Sequence, residues 1–302
     1  MINAIIHASN GQNRVRKVSQ AKILTEVAPC IRLGLTKLTY LVESMHRIVD
    51  YERPPVVETV LGVFFAPLQG FGLLHQGVFW DRVRRCYPKY ELMAAIGETE
   101  LRIGPQGMQP PSVRALLVEE SGGQLVQVQN NGFFRNWRKS PNVPGYIHYD
   151  IMRPSFERDW TEFLKFLHSE QLPEPEIMEA QVTYINQFAR GVDWDTQDEL
   201  NQLFRAPAVP PQNELISGLK MHSFLKVYEL RDGAGRLEVA GQPAIRQIDG
   251  KEIMQFTLTA AGKPRYGSTD DLLTWFDMGH AAVVRTFDDM TSDEAHRKWG
   301  KK

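Results

Sequence analysis

The 302 residues are 42% hydrophobic and 24% charged, with 23 Gly and 18 Pro, a globular composition long enough for one large or two modest domains and unlike collagenous or disordered chains. With 35 Lys+Arg against 36 Asp+Glu, no global positive field exists to hold nucleic acid or an anionic membrane, so such binding would have to be local. Two cysteines, Cys30 and Cys86, exclude a disulfide framework and a Cys/His zinc site, and no apolar run approaches the roughly 18 residues a spanning helix needs. With no apolar leader core ahead of an A-x-A site, the chain reads as cytoplasmic, with no membrane partner and no cofactor.

Residues 1–44 carry Arg14, Arg16, Lys17, Lys22, Arg32 and Lys37 against Glu26 and Glu43, a net +4 that leaves −5 for the rest. A basic, acid-poor leader suits an amphipathic transit peptide. The preferred reading makes Met45 the start and the residues before it an extension; on either reading residues 1–50 are expected to be a poorly packed N-terminal extension apart from a short helix around Ala21 to Ser44. Residues 51–302 are then one α+β unit.

From Val56 the run Val-Val-Glu-Thr-Val-Leu-Gly-Val-Phe-Phe after Pro54-Pro55 predicts a buried strand, being dense in β-branched and aromatic residues. Leu73 to Arg85 has helical spacing and stops before Pro88. Val113 to Glu119 and Leu125 to Asn131, split by Ser121-Gly122-Gly123, predict a hairpin. A second helix is predicted from Pro154-Ser155, with Phe156, Trp160, Phe163, Leu164 and Leu167 on one face.

Ile177 to Phe188 opens the cycle again, and a short helix over Asp195 to Phe204 precedes a Pro-rich linker. Leu219 to Leu230, Arg236 to Ile248 and Ile253 to Ala260 are strands, separated by Asp232-Gly233-Ala234-Gly235 and Asp249-Gly250, which favour tight antiparallel turns. Ser268-Thr269-Asp270-Asp271 starts a long helix, and Thr291 with Glu294 has the capping-box spacing for a last helix ending at Gly300. The pattern predicts an antiparallel sheet covered by helices, with two related halves at about 51–175 and 176–302.

Pro54-Pro55-Val56-Val57-Glu58, Asn136-Trp137-Arg138-Lys139 and Trp299-Gly300 carry a resemblance, together with Gly62, Pro67-Leu68, His75, Trp80, Gln127-Val128-Gln129, Trp275, His280 and Phe287. Over about residues 51–300 the chain resembles a sporadically distributed, uncharacterised bacterial family with this PPVVE, NWRK and WG pattern. The resemblance implies a bacterial cytosolic protein and brings no activity, cofactor or catalytic residue. Its patchy distribution is associated with mobile or defence islands.

Nucleotide-binding GxxxxGK[ST] and GxGxxG patterns, HExxH and the GxSxG elbow are absent from the sequence. His148 and Asp150 could lend a metal two ligands from an extended loop but are read first as a hydrogen-bonded surface pair, and Cys86 is read as a small packing group. Asn131 to Asp150, just after a strand, interleaves aromatic and basic residues; the preferred plain reading packs Phe133 and Trp137 in the core and pairs Arg135, Arg138 and Lys139 with the surplus acids. From this segment Arg135, Trp137, Arg138, Lys139 and Tyr146 are the candidate binding residues, for a protein partner or small ligand and, secondarily, for single-stranded nucleic acid. The alternative is an enzyme or nucleotide-dependent effector whose cleft holds His75, His280 and Glu58. A non-catalytic binding protein is the leading expectation; an enzyme would place a histidine beside a carboxylate in a deep pocket, whereas a binder would expose Trp137 or Tyr146 with Arg138.

Overall fold

The computed structural model describes residues 49–97, 102–104, 107–109, 112–142, 145–206, 211 and 213–302, with the backbone alone at 102–104 and 107–109. These belong to the unit Ile48–Lys302. The helix expected around Ala21 to Ser44 lies outside the described residues.

Eleven strands are described: β1 Val56–Phe65, β2 Lys89–Ala94, β3 Arg102–Gly104, β4 Gly107–Gln109, β5 Val113–Val118, β6 Gln124–Gln129, β7 Gly132–Arg138, β8 Ile177–Ala189, β9 Phe224–Leu230, β10 Gly235–Ile245 and β11 Glu252–Gly262. The helices are α1 Leu73–Val83, α2 Tyr149–Ser169, α3 Gln197–Gln202, α4 Thr269–Met290 and α5 Asp293–Trp299. Nine strands form one sheet in the order β2-β5-β6-β7-β1-β8-β11-β10-β9, every neighbouring pair antiparallel, while β3 and β4 pair separately. The α+β class with helices on an antiparallel sheet is therefore the observed one. In the middle β1 pairs with β8; outward from them lie β7-β6-β5-β2 on one side and β11-β10-β9 on the other, both running backwards in chain order.

Strand alternation decides what each face carries. Leu61, Val63 and Phe65 of β1, Phe133, Arg135 and Trp137 of β7, and Val182, Tyr184 and Phe188 of β8 point to the side covered by helices. There Phe133 meets Phe156 and Trp160 of α2, and Phe156 meets Phe276 of α4 at 4.8 Å. These edge-on aromatic contacts weld α2 and α4 to each other and to the sheet. A smaller buried cluster, Leu116, Val118 and Leu125, occupies the opposite face.

Gly279 lets α4 lie close to the sheet. A Cβ there would sit 3.1 Å from Val182 and 3.2 Å from Trp275, tighter than ordinary packing allows. The helix starts are chemically marked: Ser268 accepts from the Asp271 amide at 3.2 Å, and Gly300 ends α5 with φ of 68°.

Four sequence expectations need correction. Gly132–Arg138, expected as a segment after a strand, is itself β7, inserted between β6 and β1 after the two-residue Asn130-Asn131 connection. Lys89–Ala94, read as no element, forms edge strand β2; its residues are all exposed, so it lacks the buried alternation that announces a strand. Helix α2 begins at Tyr149 and contains Pro154, which removes one backbone bond near its start without ending it. Ser292, not Thr291, caps α5, accepting from the Ala295 amide at 3.2 Å.

Candidate functional site: an aromatic cleft

A cavity of about 330 Å³ opens beside the start of β1. One wall is the strap Val49 to Val56, where Pro54-Pro55 precede the strand; the others are Tyr146, His148 and the first residues of α2, Tyr184 and Asn186 of β8, and His280 of α4. The strap is pinned from behind by the C-terminal segment. The Glu52 and Arg53 amides donate to the Gly300 and Trp299 carbonyls at 3.0 Å each, and Lys302 Nζ meets Asp50 at 2.7 Å. Partnered by Lys302, Asp50 has its pKa lowered.

His280 sits on the buried stripe of α4 and is 4% exposed. Burial pushes its pKa down to about 3, so the ring is neutral near pH 7. Tyr146 Oη donates to Tyr184 Oη at 3.2 Å, and Tyr184 Oη lies 3.0 Å from His280 Nδ1. Accepting from Tyr146, the Tyr184 hydroxyl can direct its own proton at Nδ1, the arrangement in which the imidazole carries its proton on Nε2. Among the described residues Nε2 has no hydrogen-bond partner. Burial raises the Tyr146 pKa to about 12 and raises that of Tyr184 as well, so both phenols stay uncharged around neutrality.

Tyr149 lies flat against the imidazole, and its hydroxyl donates to Asp277 Oδ1 at 2.8 Å, an oxygen that also accepts from Arg153 Nε at 2.7 Å. Behind Tyr146, the Trp137 ring packs edge-on at 5.2 Å. The cleft is thus lined by aromatic rings, their hydroxyls, Asn186 and the imidazoles of His280 and His148, with Asp150 exposed at its rim. Among its described lining residues there is no Lys, Arg, Ser, Thr or Cys.

The structure divides the residues of the 131–150 segment. Arg135 is 2% exposed, its guanidinium paired with Asp159 of α2 and with Tyr87 Oη, and reaching Gln124 Oε1 at 2.5 Å. Trp137 is 1% exposed. Both are therefore removed from the open face on which a surface binder would present them, because odd-numbered residues of β7 point into the helix-covered layer. Arg138 points the other way, donating to the Gly122 carbonyl at 2.9 Å and standing 3.6 Å from Glu91, and Lys139 is exposed. Tyr146 alone of the five lines the cleft.

His75, His280 and Glu58 do not share a cleft. His75 belongs to the first turn of α1, where Nδ1 accepts from the Gly72 amide at 3.3 Å and the ring stacks on Phe71. Glu58 faces the side of β1 away from the helices, where Asn136 Nδ2 donates to it at 2.6 Å. Burial raises its pKa, offset in part by that hydrogen bond and by Arg138 and Arg114. Sequence reasoning missed Tyr184; its signal is a hydroxyl-bearing ring at an inward position of the β8 alternation, followed two residues on by the inward Asn186.

A second constellation imitates a nucleophile, base and acid. Thr291 Oγ1 lies 2.9 Å from His296 Nε2, which lies 3.4 Å from Asp288. The Thr291 hydroxyl, however, donates its proton to the Phe287 carbonyl at 2.7 Å and is fully buried, so it meets the ring as an acceptor and no substrate can reach it. Tyr51 Oη donates to the same Asp288 at 2.8 Å and Lys301 pairs with it at 2.5 Å, which makes the group a structural tie for the C-terminal segment.

Among the described residues no group of three or more His, Cys, Asp or Glu is placed to hold a metal ion, and no helix is long and apolar enough to cross a membrane. No family model, curated protein or solved structure matches the chain.

Proposed function

We propose that the protein is a non-catalytic binding module whose ligand occupies the cleft between the strap, α2 and α4. The observation that carries this reading is the neutral, stacked and hydrogen-bonded His280. A base whose pKa is about 3 takes up a proton poorly near pH 7, whereas a fixed neutral donor beside aromatic faces suits recognition. The cavity volume, about 330 Å³, lies at the small end of the range for small-molecule sites.

The interior positions of Arg135 and Trp137 favour this cleft over a nucleic-acid surface along β7. Cys86, an exposed free thiol, supports a reducing, cytoplasmic setting. The matching strand order on the two sides of the β1 and β8 pair supports an internal duplication.

The test is a fragment screen by two-dimensional NMR on the full chain, comparing wild type with Tyr184→Phe and His280→Gln. Fragments should shift Tyr146, Tyr149 and His280 resonances in wild type and do so more weakly in the variants. A competing reading, an enzyme using His280, is favoured by the unpartnered Nε2. Turnover of any substrate that is abolished in His280→Gln would replace the binding reading with the enzymatic one.

A further inference from the structure

Resting on the cleft being a ligand site, we infer that its ligand is an organic cation, an alkylated or primary ammonium group carried on a small molecule or side chain. The cleft places Tyr51, Tyr146, Tyr149, Tyr184 and Phe287 around one volume. Aromatic faces carry negative quadrupole potential and attract a weakly hydrated cation that has shed its water, an attraction a neutral group of the same shape does not feel. The acids of the described lining are Asp50, paired with Lys302 outside the lining, and Asp150; no lysine or arginine belongs to the described lining.

The two acids differ in what they leave available. Asp50 is already paired with the ammonium of Lys302 at 2.7 Å, so its charge is met within the chain. Asp150 is exposed and makes no ion pair among the described residues, so its charge is free to meet an incoming cation. The buried His280 and its Nε2 are the independent sign of a ligand: an imidazole 4% exposed, lining the cleft, with one hydrogen-bonding position unmatched. Because it is neutral, it does not repel a cation, and its N–H suits an acceptor such as the hydroxyl or carbonyl oxygen borne by many ammonium compounds. His148, also in the lining and 3.9 Å from Asp50, is the one group there that would oppose a cation when protonated.

The experiment uses three probes of one shape on the full chain: choline, its neutral carbon isostere 3,3-dimethylbutan-1-ol, and the anion 3,3-dimethylbutyrate. Titrations followed by calorimetry and by the NMR shifts of Tyr146 and Tyr149 should show choline binding about tenfold or more tighter than the alcohol, with the butyrate weakest. Asp150→Asn, an exposed substitution that leaves the core untouched, should weaken choline several-fold and leave the alcohol unchanged. Equal or tighter binding of the alcohol or the butyrate in the cleft overturns the cation assignment while the binding reading stands. Failure of all three to shift the cleft residues also overturns it, and the fragment screen then judges the binding reading separately.

Discussion

The ring of Tyr149 lies against that of His280 with centroids 3.9 Å apart and planes inclined by 6°. This contact joins the first residue of α2 to the middle of α4, and the Tyr149 hydroxyl is tied to Asp277 one turn earlier on the same helix. The imidazole is consequently held on one face by a ring and at Nδ1 by a phenol. Such a ring is fixed in orientation before any ligand arrives, which lowers the ordering cost of binding.

Burial of His280 makes stability depend on pH. Its folded pKa, about 3, lies below the ordinary 6.5, so the unfolded chain takes up the proton first. The contribution is complete above pH 6.5 and is lost as pH falls towards 3, by up to about 1.4 kcal/mol per pH unit. Urea denaturation at pH 7.0 and 5.0 should show a smaller acid loss in His280→Gln than in wild type. Equal losses would show that the ring is not protected in the native state.

Removing the Tyr184 hydroxyl leaves His280 Nδ1 without a partner inside the protein and takes the acceptor from Tyr146. Tyr184→Phe should cost about 1–3 kcal/mol, whereas Tyr146→Phe, which deletes only the outer donor, should cost about 0.5–1.5 kcal/mol. The order of the two, measured by equilibrium unfolding, tests the direction of the relay.

Arg135 and Asp159 form a buried ion pair, with side chains 3% and 9% exposed. Asp159→Leu strands the guanidinium and should cost about 3–5 kcal/mol, while the double variant Arg135→Met with Asp159→Leu should recover much of that loss. A double-mutant cycle without coupling would remove the pair from the account of stability.

Glu58 has the opposite pH behaviour to His280. Its folded pKa is raised, so the native state favours the protonated form, and the residue's contribution declines as pH rises through that value. Glu58→Gln keeps an oxygen for Asn136 Nδ2 and removes the buried charge. The variant should be more stable than wild type at pH 7, with the gain shrinking towards pH 4, as read from paired melting curves.

The elements with strong local signatures were legible in the sequence: β1 from its β-branched run, the β5 and β6 hairpin from Ser121-Gly122-Gly123, and α4 from the Ser268 cap. Edge strand β2 was not, since an exposed strand lacks alternating burial. In the candidate site His280 and Tyr146 were legible as residue types, and Tyr184 was not, because nothing local marks which tyrosine will face a histidine 96 residues away. Arg135 and Trp137 stood both as surface candidates and as a core ring with an acid-paired guanidinium, because a basic and aromatic run is compatible with either until the strand phase is known; the phase of β7 buries both.

Hydrophobic period, turn residues and caps are properties of neighbours along the chain, and they determined the antiparallel α+β character of this protein before any coordinate. The placement of β1 against β8, the side of the sheet the helices cover, and the meeting of Tyr146, Tyr149, Tyr184 and His280 were decided only by tertiary packing. The energy that selects those arrangements comes from contacts between segments far apart in the chain, and each segment's own pattern is compatible with more than one such partner.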